Sequence, residues 1–247
     1  MIDTHAHLDA LDDPGAAIER AQAAGVRRIV TVGTGIDSCR AAVALAEQHE
    51  DVYASLGVDP HQAASTEAER VAELRGLLSH PKAVAVGETG LDNFHRHAGP
   101  AEQLRLFDAQ IALADEVGLP LVIHSRDAAS ETADALSGFG GRVVLHCFSE
   151  PALLPIALER GYYMSFAGNV TFAKARELRW AAAQVPRDRI LAETDSPYLA
   201  PQPLRGRPNE PANVVHTVAA LAAARGEDAG ELAARIDANA TAAFGLP

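Results

Sequence analysis

Eight short apolar segments recur along the chain, and longer stretches with the spacing of amphipathic helices separate them. We predict strands at about residues 2–6, 27–33, 51–57, 83–88, 119–125, 142–148, 161–168 and 189–195. Strands that alternate with helices pair in parallel, and continuous apolar runs are typical of strands covered on both faces. The pattern therefore predicts an α/β fold built on a parallel sheet.

The number of strands and the chain length favour a closed barrel over an open sheet. The chain has 247 residues, and a (β/α)8 TIM barrel typically needs roughly 250. An open nucleotide-binding sheet would usually carry fewer strands and a glycine-rich phosphate loop after the first one. Here HLDALDDPG follows the first strand, with no GxGxxG. We expect one TIM-barrel domain over residues 1–247, with two further helices at its end.

Composition excludes other classes of protein. Hydrophobic residues make up 48% and charged residues 22%, which is ordinary globular usage and does not indicate disorder. No run approaches the ~18 apolar residues of a membrane-spanning helix, and no basic and then apolar leader opens the chain. Cys39 and Cys147 provide no disulfide framework. We expect a cytoplasmic protein with no membrane partner and no obligate protein partner.

The net charge of −12 should repel nucleic acid rather than gather it. A polyanionic substrate would require a local reversal of that sign. Bound divalent cations can supply it, because they are often the largest local charges in a site.

The opening segment MIDTHAHLDA places His5 and His7 two residues apart. In a strand, residues i and i+2 point to the same side, so both imidazoles can bind one metal ion. Taken alone, such a pair is a weak indication, because incidental or merely hydrogen-bonded histidines have the same spacing.

Other predicted strands end in ionisable residues. These are Glu88 in VGETGLD, His124 in VIHSRDA, His146 in LHCFSE and Asp195 in AETDSP. Barrel enzymes place their active sites at this end of their strands. Burying these groups unpaired would cost roughly 1–3 kcal/mol each. Together with the opening pair they predict a metal centre.

The set of six ligands also limits the metal. Four imidazoles and two carboxylates without a thiolate suit Zn, Mn, Co or Ni, and Mg is acceptable on the carboxylate-rich side. One catalytic ion needs about three protein ligands and an open position. We therefore predict two divalent metal ions as cofactors.

The segments DTHAHLD, GETGLD, LPLVIHSRDA, LHCFS and ETDSPYLAP, in this order and spacing, resemble the TatD family of metal-dependent hydrolases. That family belongs to the amidohydrolase-type barrels, and the resemblance covers essentially the whole chain. It implies a deoxyribonuclease, often a 3′–5′ exonuclease on single-stranded DNA, that uses Mg or a related ion.

The resemblance also implies how the ligands are divided. His5, His7 and Asp195 would hold the first ion, His124 and His146 would hold the second, and Glu88 would bridge them. Several related barrels bridge their metals with a carboxylated lysine instead. This chain has only Lys82, before the fourth strand, and Lys174, which we place in a helical stretch. A carboxylated-lysine enzyme is therefore not expected.

Two segments depart from the family pattern. Asp59 stands in GVDPH where a histidine is expected, although His61 is retained. LDNFHRH (91–97) replaces an aromatic-rich stretch and brings His95 and His97 near the site. Both changes lie outside the ligand set, so they bear on substrate preference rather than on metal binding.

Roles follow from chemistry and position. Asp195 is the predicted general base, because a carboxylate beside a metal can accept the proton of a water, and Glu88 assists as the bridging ligand. His61 and Arg126 are the predicted substrate contacts. For Arg126 the alternative is a salt bridge to Asp127 at the helix start.

Several other residues have weaker indications. For Arg205 and Arg207 phosphate contact and plain solvation are both open. We expect Glu193 and Asp3 to support the ligands or their backbone, and Cys147 to pack between barrel and helices.

Other functions fit the same site. The same ligands would serve a D-aminoacyl-tRNA deacylase or a small phosphoester hydrolase. A binding protein with a vestigial metal site is the non-enzymatic alternative.

Overall fold

The computed structural model describes residues 1–247, and eight strands form one parallel sheet in sequential order. The strands are β1 Ile2–Ala6, β2 Arg28–Gly33, β3 Val52–Leu56, β4 Ala83–Asp92, β5 Leu121–Arg126, β6 Val143–Leu145, β7 Tyr163–Phe166 and β8 Ile190–Ala192. The α-helices are α1 Pro14–Ala23, α2 Ile36–Gln48, α3 Thr66–Glu69, α4 Leu74–Leu77, α5 Pro100–Val117, α6 Ala129–Ala135, α7 Leu154–Glu159, α8 Arg176–Gln184, α9 Val214–Arg225 and α10 Ala229–Phe244. Short 3-10 helices span Leu8–Ala10, Pro60–Gln62, Val71–Glu73, Leu136–Gly138, Pro151–Leu153, Gly168–Thr171 and Pro211–Asn213.

The barrel is joined between β1 and the segment that follows β8. Ala6 forms an isolated parallel bridge to Ser196. The Asp195 N–H donates to the His5 carbonyl at 2.9 Å, and the His7 N–H donates to the Ser196 carbonyl at 2.8 Å. With helices between successive strands, this is the predicted (β/α)8 barrel, and the prediction of fold class is confirmed.

The strands are buried because helices cover the outside of the barrel and side chains fill its inside. Every residue of β1, β3 and β4 is buried, including the polar residues of β1 and of the second half of β4. The final helix α10 packs against β8 and β1, and Asn239 donates to the carbonyl of Ile190. No helix combines the length and the apolar composition needed to cross a bilayer.

Strand ends depart from the prediction where the polar cluster begins. β4 continues to Asp92, whereas β6 stops at Leu145 and β8 stops at Ala192. Cys147 and Asp195 have φ values of 42° and 56°, a left-handed conformation that cannot continue a strand. Lys174 lies in a turn before α8, so its placement in a helical stretch was wrong.

Candidate metal centre

A cleft of about 480 Å³ opens at the carboxyl-terminal end of the barrel. Its walls include His7, Glu88, His124, His146 and Asp195, while His5 is fully buried beside them. The structure therefore brings together all six residues that the sequence singled out as ligands. Their position agrees with the usual place of an active site in this fold.

One cluster forms where β1 meets the segment after β8. The Nε2 atoms of His5 and His7 lie 3.3 Å apart. Asp195 Oδ1 is 3.3 Å from His7 Nε2, and Glu88 Oε2 is 3.3 Å from His5 Nε2. Two imidazole nitrogens and two carboxylate oxygens thus converge from three separate elements.

A second cluster uses the other oxygen of the same glutamate. Glu88 Oε1 lies 2.7 Å from His124 Nδ1 and 3.0 Å from His146 Nε2. Those two nitrogens are 3.3 Å from each other. The Glu88 carboxylate is therefore shared between two pairs of histidines, with one oxygen facing each pair.

The electrostatics of these clusters call for bound positive charge. Burial raises the pKa of Glu88, but the charge of His146 and hydrogen bonds from the surrounding histidines outweigh it and hold that pKa well below its usual range. Burial lowers the pKa of His7, yet the hydrogen bond to Asp195 prevails and raises it to about 8. Burial and the charge of His146 lower the pKa of His5.

Without metal, protons must therefore sit between these nitrogens and oxygens. The Nδ1 atom of His5 is in addition buried without a hydrogen-bond partner. Imidazole and carboxylate donors are the ones that divalent transition metals prefer. The residues present fit a metal centre, because a divalent cation can replace the protons at each cluster.

Further carboxylates hold the histidines from behind. Glu193 Oε1 lies 3.3 Å from His146 Nδ1 and accepts the N–H of Cys147 at 2.8 Å. Such outer carboxylates fix the ring orientation of a ligand histidine. Asp3 acts on the backbone instead, since it accepts N–H groups of Thr194 and His5 and so ties β1 to the chain after β8.

Sequence reasoning missed Asp92, which is 1% exposed. Its Oδ2 atom lies 3.1 Å from His124 Nε2, the nitrogen opposite the one that faces Glu88. The signal was present in GETGLD, because Glu88, Gly90 and Asp92 alternate along one strand. Gly90 has φ +139°, and a Cβ there would lie 2.0 Å from the His124 carbonyl, so β4 and β5 approach this closely only with glycine.

Of the residues considered for substrate contact, two line the cleft and Arg205 does not. His61 lines the cleft, with its Nε2 2.9 Å from Asp92 Oδ2. Arg126 also lines it and stacks its guanidinium 4.2 Å from the centre of the Phe94 ring, and no ion pair to Asp127 forms. Arg205 stacks on Phe172 and does not line the cleft.

A family model described as "TatD related DNase" matches residues 2–245 of the chain. The chain belongs to the TatD family. It is accordingly a metal-dependent hydrolase, as the sequence predicted.

TatD relatives known from sequence and from crystal structures match this chain over nearly its full length. A metal-dependent hydrolase named TatD from Mycobacterium tuberculosis is 42% identical, with 100% of this chain and 98% of that protein covered. A protein of Erwinia tasmaniensis named 3′-5′ ssDNA/RNA exonuclease TatD is 38% identical, covering 95% of this chain and 94% of its own length. The crystal structure of the TatD homologue YjjV from Escherichia coli superimposes with a TM-score of 0.90 at 32% identity, covering 100% and 98% of the two chains.

The expected position of Cys147 in this TatD chain was wrong. Because β6 ends before it and its φ is positive, strand alternation no longer applies, and the residue lines the cleft. Burial, followed by the charges of Asp195 and Glu193, raises the pKa of its thiol well above the usual range. The thiol is therefore held in its neutral form and is a poor nucleophile.

Proposed function

We propose that this TatD-family hydrolase is a nuclease that shortens single-stranded DNA from its 3′ end, with two divalent ions in the cleft. The observation that carries the proposal is the shared Glu88 carboxylate, whose two oxygens face separate histidine pairs in an open cleft. The exonuclease name of the Erwinia tasmaniensis relative supports the choice of substrate.

The proposed metal ligands are the six residues predicted from the sequence. His5, His7 and Asp195 would hold one ion, His124 and His146 would hold the other, and Glu88 would contact both. When bound, divalent ions lower the pKa of water and neutralise charge on a phosphodiester. The same positive charge would offset the acidic surface that otherwise repels a polyanion.

Asp195 is the proposed general base. Although burial raises its pKa, the hydrogen bond and charge of His7 lower it below the usual value, so the carboxylate is ionised at neutral pH. Its Oδ1 atom faces His7, which leaves the second oxygen to accept a proton from water in the cleft. Asp195 follows β8 with a left-handed φ of 56°, and its side chain lines the cleft.

Arg126 and His61 are the proposed substrate contacts. The Arg126 guanidinium is exposed in the wall of the cleft, where its fork of N–H groups can pair with a phosphate oxygen. Tyr198, with 58% of its surface exposed, also lines the cleft and lies beside His7. Its ring offers a platform for a nucleotide base, since base stacking on aromatic rings is tolerant of sequence.

We further propose that residues 1–247 act as one domain, because α10 returns to pack on both β1 and β8. The cytoplasmic location stays a prediction.

The test uses purified full-length protein and single-stranded DNA labelled at either the 5′ or the 3′ end. With Mg²⁺, Mn²⁺, Zn²⁺ or Co²⁺ we expect progressive shortening of the 5′-labelled strand and early release of label from the 3′-labelled strand. EDTA should abolish both signals, and returning the metal should restore them.

The alternative functions give different results in the same series. Turnover of D-aminoacyl-tRNA or of p-nitrophenyl phosphate without DNA cleavage would replace the nuclease by a deacylase or a small phosphoesterase. Cleavage that survives exhaustive EDTA would overturn the metal mechanism. No hydrolysis of any substrate with any metal would favour a binding protein with a vestigial site.

A further inference from the structure

We propose that His61, Asp92 and His95 form a third divalent-cation site on the wall of the cleft. This site shares no proposed ligand with the two clusters around Glu88, although Asp92 contacts His124 of the second cluster. Its existence does not depend on which substrate the enzyme cleaves.

The three side chains converge on one carboxylate oxygen. Asp92 Oδ2 lies 2.7 Å from His95 Nδ1 and 2.9 Å from His61 Nε2. The three candidate ligand atoms all lie within 4.8 Å of one another. One residue comes from the segment after β3 and two come from the end of β4 and the turn after it, so the fold itself holds the group together.

More imidazole nitrogens face Asp92 Oδ2 than this oxygen can accept as hydrogen bonds. Asp92 Oδ1 already accepts the backbone N–H groups of Phe94 at 2.9 Å and His95 at 2.8 Å. Oδ2 faces His124 Nε2 at 3.1 Å in addition to the two other imidazoles. A carboxylate oxygen has two lone pairs, so three imidazole N–H donors exceed its capacity. A cation bound by Oδ2 and by the lone pairs of the His61 and His95 imidazoles would occupy one lone pair of Oδ2. The two hydrogen bonds that it replaces would occupy two.

Asp59 orients the His61 imidazole for binding a cation together with Asp92. His61 Nδ1 faces Asp59 Oδ2 at 3.4 Å. When Nδ1–H is directed to that carboxylate, Nε2 carries a lone pair and points it at Asp92 Oδ2, where only a proton or a metal ion can bridge the two. An outer carboxylate that fixes the tautomer is a regular part of a histidine metal site.

Asp59 and His95 therefore meet at one place, although they come from the segment after β3 and the turn after β4. Asp59 supplies the orienting carboxylate and His95 supplies a ligand.

Two imidazoles and a carboxylate favour Zn²⁺, Mn²⁺ or Co²⁺ over Mg²⁺ and Ca²⁺. The His61 and His95 side chains are 32% and 38% exposed, so an ion can enter from the cleft and the rings have room to adjust. Three protein ligands leave a position open to water or to an oxygen of a substrate.

The experiment counts Zn²⁺ per chain after equilibration with the metal and removal of the unbound excess, using elemental analysis and protein concentration. We expect three ions in the wild type, two in His95→Asn and three in His97→Asn. His97 is the matched control because it is an exposed histidine of the same turn whose ring stacks on His95 at 5.8 Å but lies outside the cluster. Circular dichroism confirms that each variant is folded.

Two ions in the wild type, or an unchanged count in His95→Asn, would overturn the third site. Loss of an ion in both variants would overturn it as well, because surface histidines would then be binding zinc without the cluster. A parallel His5→Asn variant reports on the Glu88 centre. If His5→Asn lost no metal, the proposed binuclear site would be contradicted. The test of the third site with His95→Asn would be unaffected by that result.

Discussion

Asp92 and Glu88 contact opposite nitrogens of the His124 ring, with Asp92 Oδ2 3.1 Å from Nε2 and Glu88 Oε1 2.7 Å from Nδ1. The two carboxylates stand four residues apart on β4, and His124 lies on the neighbouring β5. Burial raises the pKa of Asp92, but hydrogen bonds from His124 and His95 hold it far below the usual value, so Asp92 is ionised. This ionised carboxylate fixes the orientation of a candidate ligand.

We predict that Asp92→Asn weakens metal binding or lowers turnover by about 10- to 100-fold, the range expected when a supporting carboxylate is lost behind a ligand histidine. Zinc titration and DNA cleavage at saturating metal measure the two effects. Asp108→Asn, the same change at an exposed position of α5, serves as the control. Equal metal affinity and turnover in Asp92→Asn and wild type would contradict the role.

Asp195→Asn should retain the fold and reduce the single-turnover rate by about 10²- to 10⁴-fold, because the amide cannot accept the proton of water. The fold should persist because the backbone bond from Asp195 N–H to the His5 carbonyl does not involve the side chain. Asp188→Asn, on the exposed turn before β8, is the matched control. Full activity in Asp195→Asn would remove this residue from the mechanism.

Metal affinity should fall as the pH is lowered from 8 to 6. The pKa of His7 in the metal-free protein is about 8 because of Asp195, so below that pH a metal must displace a proton from the imidazole. Each proton displaced weakens binding by about tenfold per pH unit. Zinc affinity measured by competition with a chelator at pH 6, 7 and 8 tests this, and a flat profile would show that His7 is not a ligand.

Gln110→Met should lower the free energy of unfolding by about 2–6 kcal/mol. This fully buried side chain of α5 accepts the N–H of Val58 at 2.8 Å and donates to the Val58 carbonyl at 2.8 Å. Methionine leaves both backbone groups buried and unpaired, at about 1–3 kcal/mol each. Urea denaturation at fixed metal concentration measures the change, with Gln22→Met at an exposed position of α1 as control. A loss no larger than that of the control would mean that water replaces the amide.

Local patterns were sufficient for the fold class and for the six candidate ligands. An apolar run depends only on the residues within it, and side-chain alternation in β1 places His5 and His7 together without any knowledge of the other strands. The apolar runs also located all eight strands, although β4, β6 and β8 end at other residues than predicted. These are properties of single segments, so they were visible in the sequence.

The remaining features depend on how separate segments meet. Asp195 and Cys147 depart from strand geometry through positive φ values, which no periodicity encodes. Asp92 gains its role from the register that pairs it with Arg126 and brings His124 between two carboxylates.

The sequence by itself determined a parallel eight-stranded barrel with a histidine–carboxylate face, because periodicity and strand ends are local. Only the tertiary structure decided which carboxylate oxygen faces which imidazole. His61 reaches Asp92 at 2.9 Å from a separate segment, a contact that depends on the packing of β3 against β4, whereas His95 reaches it at 2.7 Å from three residues further along the same chain segment.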